Sequence, residues 1–598
     1  MAEKLESILA HVFGYSSFRL QQKEIIEYIL EGKDALVIMP TGGGKSICYQ
    51  IPALAKDGFA IVVSPLIALM NDQVSALRAL GVKAYALNSH ISYEEKLEIN
   101  DVVNNGGIKL LYISPERLLS ENYIDFLKTK NISLIAIDEA HCVSVWGNDF
   151  RPDYIALNVL KTSFPNIPLV ALTATADSAT QSDIKKQLKI DEAQTFISSF
   201  ERSNITVESR PGQQRVQQII NWAIQHKDQA GIIYCLSRKN TESIAEKLNA
   251  QGFNAAFYHA GMDGAERSRI QKAFTDDEID IVCATIAFGM GIDKPNIRYV
   301  IHYSMPKNIE AYYQEIGRAG RDGEQSKALL FYSWGDFLNL QKFIDESPSD
   351  PIFKEVQKAK LDRMWAYANS KTCRTNFVLN YFGEYKYEPC DHCDNCKFPP
   401  KYIDGTTYAK MLISGIIRTH QRLNMGLLVD MLRGSYRKEI IDQQLDKIKT
   451  YGVGREIPQA HWLQYITQMI NQGIVQLDFS DASRLKLTPL SKKVLDDGIK
   501  VQLAEYEKYD NKKAKVKVKK LEVDLSDMDN LLYKRLKVWR SRKAKEKNYP
   551  AYVILHDKSL KQIATSKPMD KKELLRVEGI GKQKIEDYGD EIISIIQD

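Results

Sequence analysis

A chain of 598 residues has room for about three to five domains of roughly 100–200 residues each. Its 44% hydrophobic and 26% charged residues exclude an intrinsically disordered protein. A net charge of +5 is small for this size and singles out no partner by itself. No apolar run approaches the ~20 residues of a membrane span, and the opening Met-Ala-Glu-Lys-Leu-Glu has no signal-peptide core, so no membrane partner is expected and the expected location is the cytoplasm.

In chain order, the segment from Phe13 to Gln22 precedes an amphipathic stretch carrying Ile25, Ile26 and Ile29. The Gln22 amide both donates and accepts, which suits the Hoogsteen edge of adenine, and Tyr15 offers a ring to stack on the base. Next, Ala35-Leu-Val-Ile-Met39 reads as a strand buried on both faces, running through Pro40 and Thr41 into Gly42, Gly43, Gly44, Lys45 and Ser46. The glycines let backbone N-H groups approach phosphates, Lys45 supplies charge for the β and γ groups, and Ser46 is a Mg²⁺ ligand. The strict phosphate-loop pattern wants glycine where this chain has Met39.

A second strand, Leu134-Ile-Ala-Ile137, leads into Asp138-Glu-Ala-His141. Asp138 is placed to hold Mg²⁺ and Glu139 to orient and deprotonate the attacking water, with side chains expected to point in different directions. His141 is a candidate coupler to the neighbouring domain. The following loop, with Trp146, Phe150 and Arg151, can stack bases and touch phosphates. Ser64, Ser114, Arg117 and Leu172-Thr-Ala-Thr-Ala176 also follow apolar strands, where open α/β sheets bind ligands.

From about residue 210 the strand and helix alternation starts again without a phosphate loop. Gly231–Cys235 and Ile279–Ala284 read as strands and Arg238–Asn249 as a helix. Arg318 and Arg321 stand three apart in a glycine-rich segment, suited to reach a γ-phosphate from a second domain.

With these motifs in order, the chain resembles the RecQ family of superfamily 2 DNA helicases over nearly its full length. Phe18-Arg19-x-x-Gln22 matches the family's adenine motif, bringing Arg19 into the ATP-binding set. Thr41 to Ser46, Asp138 to His141, Thr173-Ala-Thr175 and Gln314 to Arg321 match the ATPase motifs, which adds Thr41 and Gln314. Val145 and Asn148 depart from the family's aromatic loop.

The resemblance implies a multidomain α/β fold. Two RecA-like parallel-sheet domains (1–205 and 206–340) precede a zinc-binding helical subdomain (341–404), a winged helix (405–508), a Lys-rich linker (509–526) and a small all-α HRDC domain (527–598). It also implies unwinding of duplex DNA with 3′ to 5′ movement on single-stranded DNA during recombination, repair and replication. Location at the nucleoid follows, with a single-strand-binding protein and a topoisomerase as partners. The residues alone leave two rivals open, an RNA-directed translocase and a nucleic-acid-binding scaffold that uses ATP only as a switch.

Cys373, Cys390, Cys393 and Cys396 have the spacing of a closed tetrahedral Zn²⁺ site, with His392 a spare donor. Further on, Ile440–Thr450 and Ala460–Asn471 read as helices ahead of a hairpin with the short turn Ser480–Ser483, the pattern of a winged helix that grips duplex DNA. The last segment carries basic residues Lys534, Arg535, Arg542, Lys543 and Lys545, as fitting for DNA as for solvent. In Val577-Glu-Gly-Ile-Gly-Lys582, the glycines suit a tight turn close to a DNA backbone.

Overall fold

The structure is a computed structural model that describes residues 2–597, apart from 89–90, 121, 145–150, 290–293, 479–483, 507–526 and 548. The first sheet has seven parallel strands: β1 (Ala35–Ile38), β2 (Phe59–Val63), β3 (Ala84–Leu87), β4 (Leu110–Ile113), β5 (Ile132–Ile137), β6 (Leu169–Thr173) and β7 (Gln194–Ile197). Their order is β3-β4-β2-β5-β6-β1-β7. Successive side chains leave opposite faces of a strand, and both faces are covered here. Leu36 and Ile38 enter one apolar cluster, whereas Ala35, Val37 and Met39 enter the other with Ile25, Ile26 and Ile29 of helix Gln22–Leu30.

The second sheet is also parallel, with six strands: β8 (Ile205–Pro211), β9 (Ala230–Tyr234), β10 (Ala255–Tyr258), β11 (Ile281–Ala284), β12 (Ile297–His302) and β13 (Ser326–Tyr332), ordered β10-β11-β9-β12-β13-β8. Where the first sheet places its glycine loop, this one runs from β9 into helix Arg238–Asn249, capped by Ser237 on the Asn240 N-H at 3.3 Å.

Helices Trp334–Glu346, Pro351–Ala368 and Arg374–Tyr381 lead to the cysteine cluster. Beyond it, helices Thr406–Arg418, Met425–Arg433 and Gln459–Asn471 share one core with the antiparallel pair β15 (Val475–Asp478) and β16 (Arg484–Leu487); strands β14 (Tyr402–Asp404) and β17 (Gln502–Ala504) close the unit. The helix expected over Ile440–Thr450 is instead a short helix, Lys438–Asp442, and a 3₁₀ turn, Leu445–Lys447. Gln444 at φ +55° breaks the run between them. The turn Ser480–Ser483 and the Lys-rich linker lie outside the described residues. Five helices, the longest Asp527–Lys547 and Lys582–Gln597, form the last unit. Among the described residues no helix is long and apolar enough to cross a membrane.

Candidate nucleotide site and zinc centre

β1 passes into the glycine loop without distortion. The Met39 N-H donates to Thr173 O at 3.1 Å, continuing the β1–β6 ladder, and the Met39 side chain is fully buried. Its φ is negative, so this position does not need a glycine; that freedom is used at Gly42 and Gly44, with φ of +81° and +79°. The loop closes through the Gly43 N-H on Pro40 O at 2.9 Å. Ser46 begins helix Ile47–Ala55 without spending its side chain on a capping bond. Lys45 Nζ donates to Met39 O at 3.3 Å; burial lowers its pKa, against the pull of Glu139 and Asp138.

Gln22 braces the loop from below. It is buried, its Oε1 accepts from the Arg19 N-H at 2.8 Å, and its Nε2 donates to Gly43 O (3.3 Å) and Gly44 O (3.1 Å). The amide assigned from sequence to adenine is thus committed to the loop carbonyls, while Arg19 lies over the Tyr15 ring at 5.5 Å.

At the end of β5 the two acids do not diverge as expected. Glu139 takes a left-handed conformation (φ +49°), which costs a non-glycine residue about 1 kcal/mol and turns Asp138 and Glu139 toward the same cavity. Burial and the neighbouring Glu139 push the Asp138 carboxyl up to about 7. Burial also acts upward on Glu139, but His141, Lys45 and Arg318 outweigh it and hold this carboxyl down at about 2. Its Oε2 is buried, 3.3 Å from His141 Nδ1, and receives no directed hydrogen bond among the described residues.

His141 Nδ1 spends its directed bond on Thr173 Oγ1 at 3.0 Å. Because the Thr173 hydroxyl donates to Thr175 O (3.1 Å), its oxygen is the acceptor and Nδ1 the donor. Gln314 Nε2, from the second sheet's domain, then donates to Thr175 Oγ1 at 3.0 Å. A continuous polar chain therefore runs from Glu139 through His141, Thr173 and Thr175 to Gln314.

Lys45, Ser46, Asp138, Glu139, His141, Gln314, Arg318 and Arg321 all line one cavity of about 410 Å³ between the two sheets, together with Tyr15, Thr41, Gly42 and Gly44. Sequence reasoning missed Arg202. Its guanidinium donates to Thr41 O in the glycine loop and to Ala319 O (3.0 Å) and Gly320 O (3.1 Å) in the arginine segment, tying the two halves together. Nearby Asn204 donates to Gly320 O at 2.9 Å. An arginine just before β8 carries no motif; only the fold brings it to the cleft. Arg151 donates to Pro65 O at 3.1 Å, whereas Trp146 and Phe150, with Val145 and Asn148, lie outside the described residues.

The sulfur atoms of Cys373, Cys390, Cys393 and Cys396 lie within 4.8 Å of one another. Backbone N-H groups already support them: Asn376 on Cys373 (3.5 Å), Cys393 on Cys390 (3.4 Å) and Arg374 on Cys393 (3.5 Å). Such bonds stabilise thiolates, and four of them fit a closed Zn²⁺ site. His392 instead turns its Nδ1 to Cys390 O at 2.5 Å.

Five family models match the chain in sequence: DEAD/DEAH box helicase (19–184), helicase conserved C-terminal domain (213–323), RecQ zinc-binding (334–397), RQC domain (399–512) and HRDC domain (529–596). The chain is 41% identical over 593 residues to an ATP-dependent DNA helicase RecQ of Haemophilus influenzae, covering 99% of this chain and 95% of that protein. It is 37% identical over 599 residues to the protein of the same name from Bacillus subtilis, covering 100% and 99%. The chain belongs to the RecQ family of ATP-dependent DNA helicases.

The two parallel sheets are the RecA-like pair of a RecQ helicase, and the four cysteines are its structural zinc centre. The basic face of this RecQ chain's HRDC domain is not simply open to DNA or solvent. Lys545 pairs with Glu278 of the second sheet's domain at 2.6 Å, and Lys543 pairs with Glu591 at 2.8 Å and Glu546 at 2.9 Å.

Proposed function

We propose that this RecQ-family chain is an ATP-driven 3′ to 5′ DNA helicase whose motor is the cleft between the two sheets. The observation that carries the reading is one cavity lined by Lys45, Asp138 and Glu139 from one domain and by Arg318 and Arg321 from the other. Lys45 and the N-H groups of Gly42 and Gly44 hold the phosphates, with Thr41 beside them, while Gly43 closes the loop; Tyr15 and Arg19 hold the base, and Gln22 fixes the loop. Glu139 takes the proton of the attacking water, at a carboxylate kept ionised by its cationic neighbours. Arg318 and Arg321 offset charge growing on the γ-phosphoryl oxygens.

Ser46 and Asp138 are a hard-oxygen pair at the cleft that fits Mg²⁺; they would hold it, and it would offset the negative charge of the phosphates. Protonated Asp138 cannot ligate. With its carboxyl raised to about 7, half-saturating Mg²⁺ for ATP hydrolysis should rise about fivefold between pH 7 and pH 6 and level off above pH 8. A flat Mg²⁺ requirement across that range would remove Asp138 as a ligand.

The chain from Glu139 to Gln314 couples the state of the phosphates to the second domain, and through His141 to the loop containing Trp146, Phe150 and Arg151. Closing and reopening move the two domains along single-stranded DNA while the winged helix holds duplex DNA ahead. Division of the chain near residues 205, 340, 404, 508 and 526 follows from this reading. A single-strand-binding protein and a topoisomerase are the expected partners, and the cytoplasm, at the nucleoid, the expected location.

The test is ATP-dependent unwinding of a 3′-tailed and a 5′-tailed duplex. The intact protein should open only the first, and Lys45→Ala neither. Opening of the 5′-tailed duplex alone would reverse the polarity, and turnover by Lys45→Ala would move the site elsewhere.

A further inference from the structure

Helix Ile309–Ile316 carries the second domain's contribution to the cleft. Ala311, Gln314 and Glu315 line the nucleotide cavity, and Arg318 and Arg321 follow just beyond the helix end. Glu310 and Tyr312 are not among the residues that line the cavity, and both are taken up by the zinc unit. The Tyr367 hydroxyl donates to Tyr312 Oη at 3.0 Å, and Lys360 Nζ donates to Glu310 Oε1 at 2.6 Å. Lys360 and Tyr367 belong to one helix, Pro351–Ala368.

Lys360 is 2% exposed. An ammonium so buried is costly unless it is paired, and this one is paired on two sides. Beyond Glu310 it meets Asp177 Oδ2 of the first sheet's domain at 3.9 Å. Asp177 keeps its other oxygen for a local task, since Oδ1 accepts from the Thr180 N-H at 2.8 Å and caps helix Ser178–Leu188. Burial acts against the charge on Lys360, but Glu310 and Asp177 outweigh it and hold the ammonium above its ordinary pKa. One buried cation therefore joins the first domain, the second domain and the zinc unit.

This junction stands next to the polar chain that ends at Gln314. Gln314 lies one turn beyond Glu310 on the same helix and donates to Thr175 Oγ1 at 3.0 Å, two residues before Asp177. The helix thus meets the segment Thr175–Asp177 twice, once through the Gln314 amide at the cavity and once through Lys360. Without the ammonium, Glu310 and Asp177 would be left as two carboxylates on opposite domains with nothing between them to offset their repulsion.

We propose that Lys360 is a positioning residue for ATP hydrolysis: from the zinc unit it clamps helix Ile309–Ile316 against Asp177 and so sets where Arg318 and Arg321 stand over the phosphates. It acts through that helix and touches no substrate. The inference rests on the assignment of Arg318 and Arg321 to the γ-phosphoryl group. Nucleotide capture depends on Lys45 and the glycine loop, which belong to the first domain and do not need the clamp. The clamp bears on the transition state, where the arginines act.

The test uses full-length protein and two probes in titration with Mg²⁺ present: ADP alone, and ADP with aluminium fluoride, which mimics the phosphoryl group in transfer. Lys360→Met keeps the apolar stem and removes the ammonium. Its DNA-stimulated kcat should fall about ten- to hundredfold, the cost of misplacing a reacting group by up to about 1 Å. KM for ATP and affinity for ADP should stay within about threefold of wild type, and affinity for ADP with aluminium fluoride should fall in step with kcat. Asp177→Asn is the milder variant, because the amide oxygen still caps Thr180 and the Lys360 to Glu310 pair is untouched. Its zinc content and first thermal transition should match the wild type, while kcat falls about three- to tenfold with the same selective loss for the fluoride complex. A wild-type kcat in Asp177→Asn overturns the proposal, whatever Lys360→Met does to folding. Equal losses for ADP and for the fluoride complex overturn it too, because the effect would then lie at the glycine loop. Failure of the underlying assignment looks different: Arg318→Ala would bind the fluoride complex as tightly as the wild type.

Discussion

Arg318→Ala should slow DNA-stimulated ATP turnover by about 10³-fold or more while ADP affinity changes by less than about threefold, the range expected for an arginine acting on transition-state charge. Arg318 stands just beyond helix Ile309–Ile316, its N-H bonded to Glu315 O at 3.3 Å, and its charge helps hold Glu139 ionised. Its position is set tightly: a side chain on Gly289 would meet the guanidinium at 2.8 Å. Arg318→Lys keeps the charge but loses the planar fork, so it should recover only part of the rate. Steady-state ATPase assays with saturating single-stranded DNA, paired with ADP titrations, decide the matter. Turnover within about threefold of wild type in Arg318→Ala would make this arginine part of the wall rather than of the chemistry.

How far the sequence carries this site depends on which interactions are local. The β1 strand, the helix Arg238–Asn249 and the zinc spacing are set by runs of a few residues, and all were legible. The departure at Met39 was legible as a departure, but its harmlessness needed the ladder bond to Thr173. Asp138 and Glu139 were found, yet their shared orientation was not. Alternation along a strand predicts opposite faces, but β5 ends at Ile137 and the left-handed turn at Glu139 falls outside that rule. Arg202 was missed, and the loop-bracing bonds of the Gln22 amide were not legible, for one reason: their partners are backbone carbonyls of other segments, which have no sequence signature. The same holds for Glu578, whose partner Arg19 lies 559 residues away.

Loss of the metal at the four cysteines should be felt as unfolding rather than as altered chemistry, because the cluster anchors the zinc unit to the second sheet. Cys393 is fully buried in the same apolar cluster as β9 and β12 side chains. Its sulfur accepts from the Arg374 N-H, and Arg374, 4% exposed, pairs with Asp394 at 2.5 Å and donates to Tyr367 O at 2.9 Å. Asp394 in turn accepts from the Ser209 N-H of β8 at 3.0 Å. Metal binding in small zinc domains contributes about 10–16 kcal/mol of folding free energy; here the surrounding core supplies part of the stability, so the cost is smaller but still large. Cys393→Ala should lose about one equivalent of zinc per chain and become sensitive to protease between residues 370 and 398. Its first thermal transition should fall by more than about 10 °C, a few kcal/mol for a unit of about 150–250 residues. His392→Ala should keep its zinc, since that ring bonds Cys390 O and not the metal. Full zinc content and an unshifted transition in Cys393→Ala would show that three cysteines suffice. Intact ATP turnover in the zinc-depleted protein would show that the sheet pair stands without its anchor.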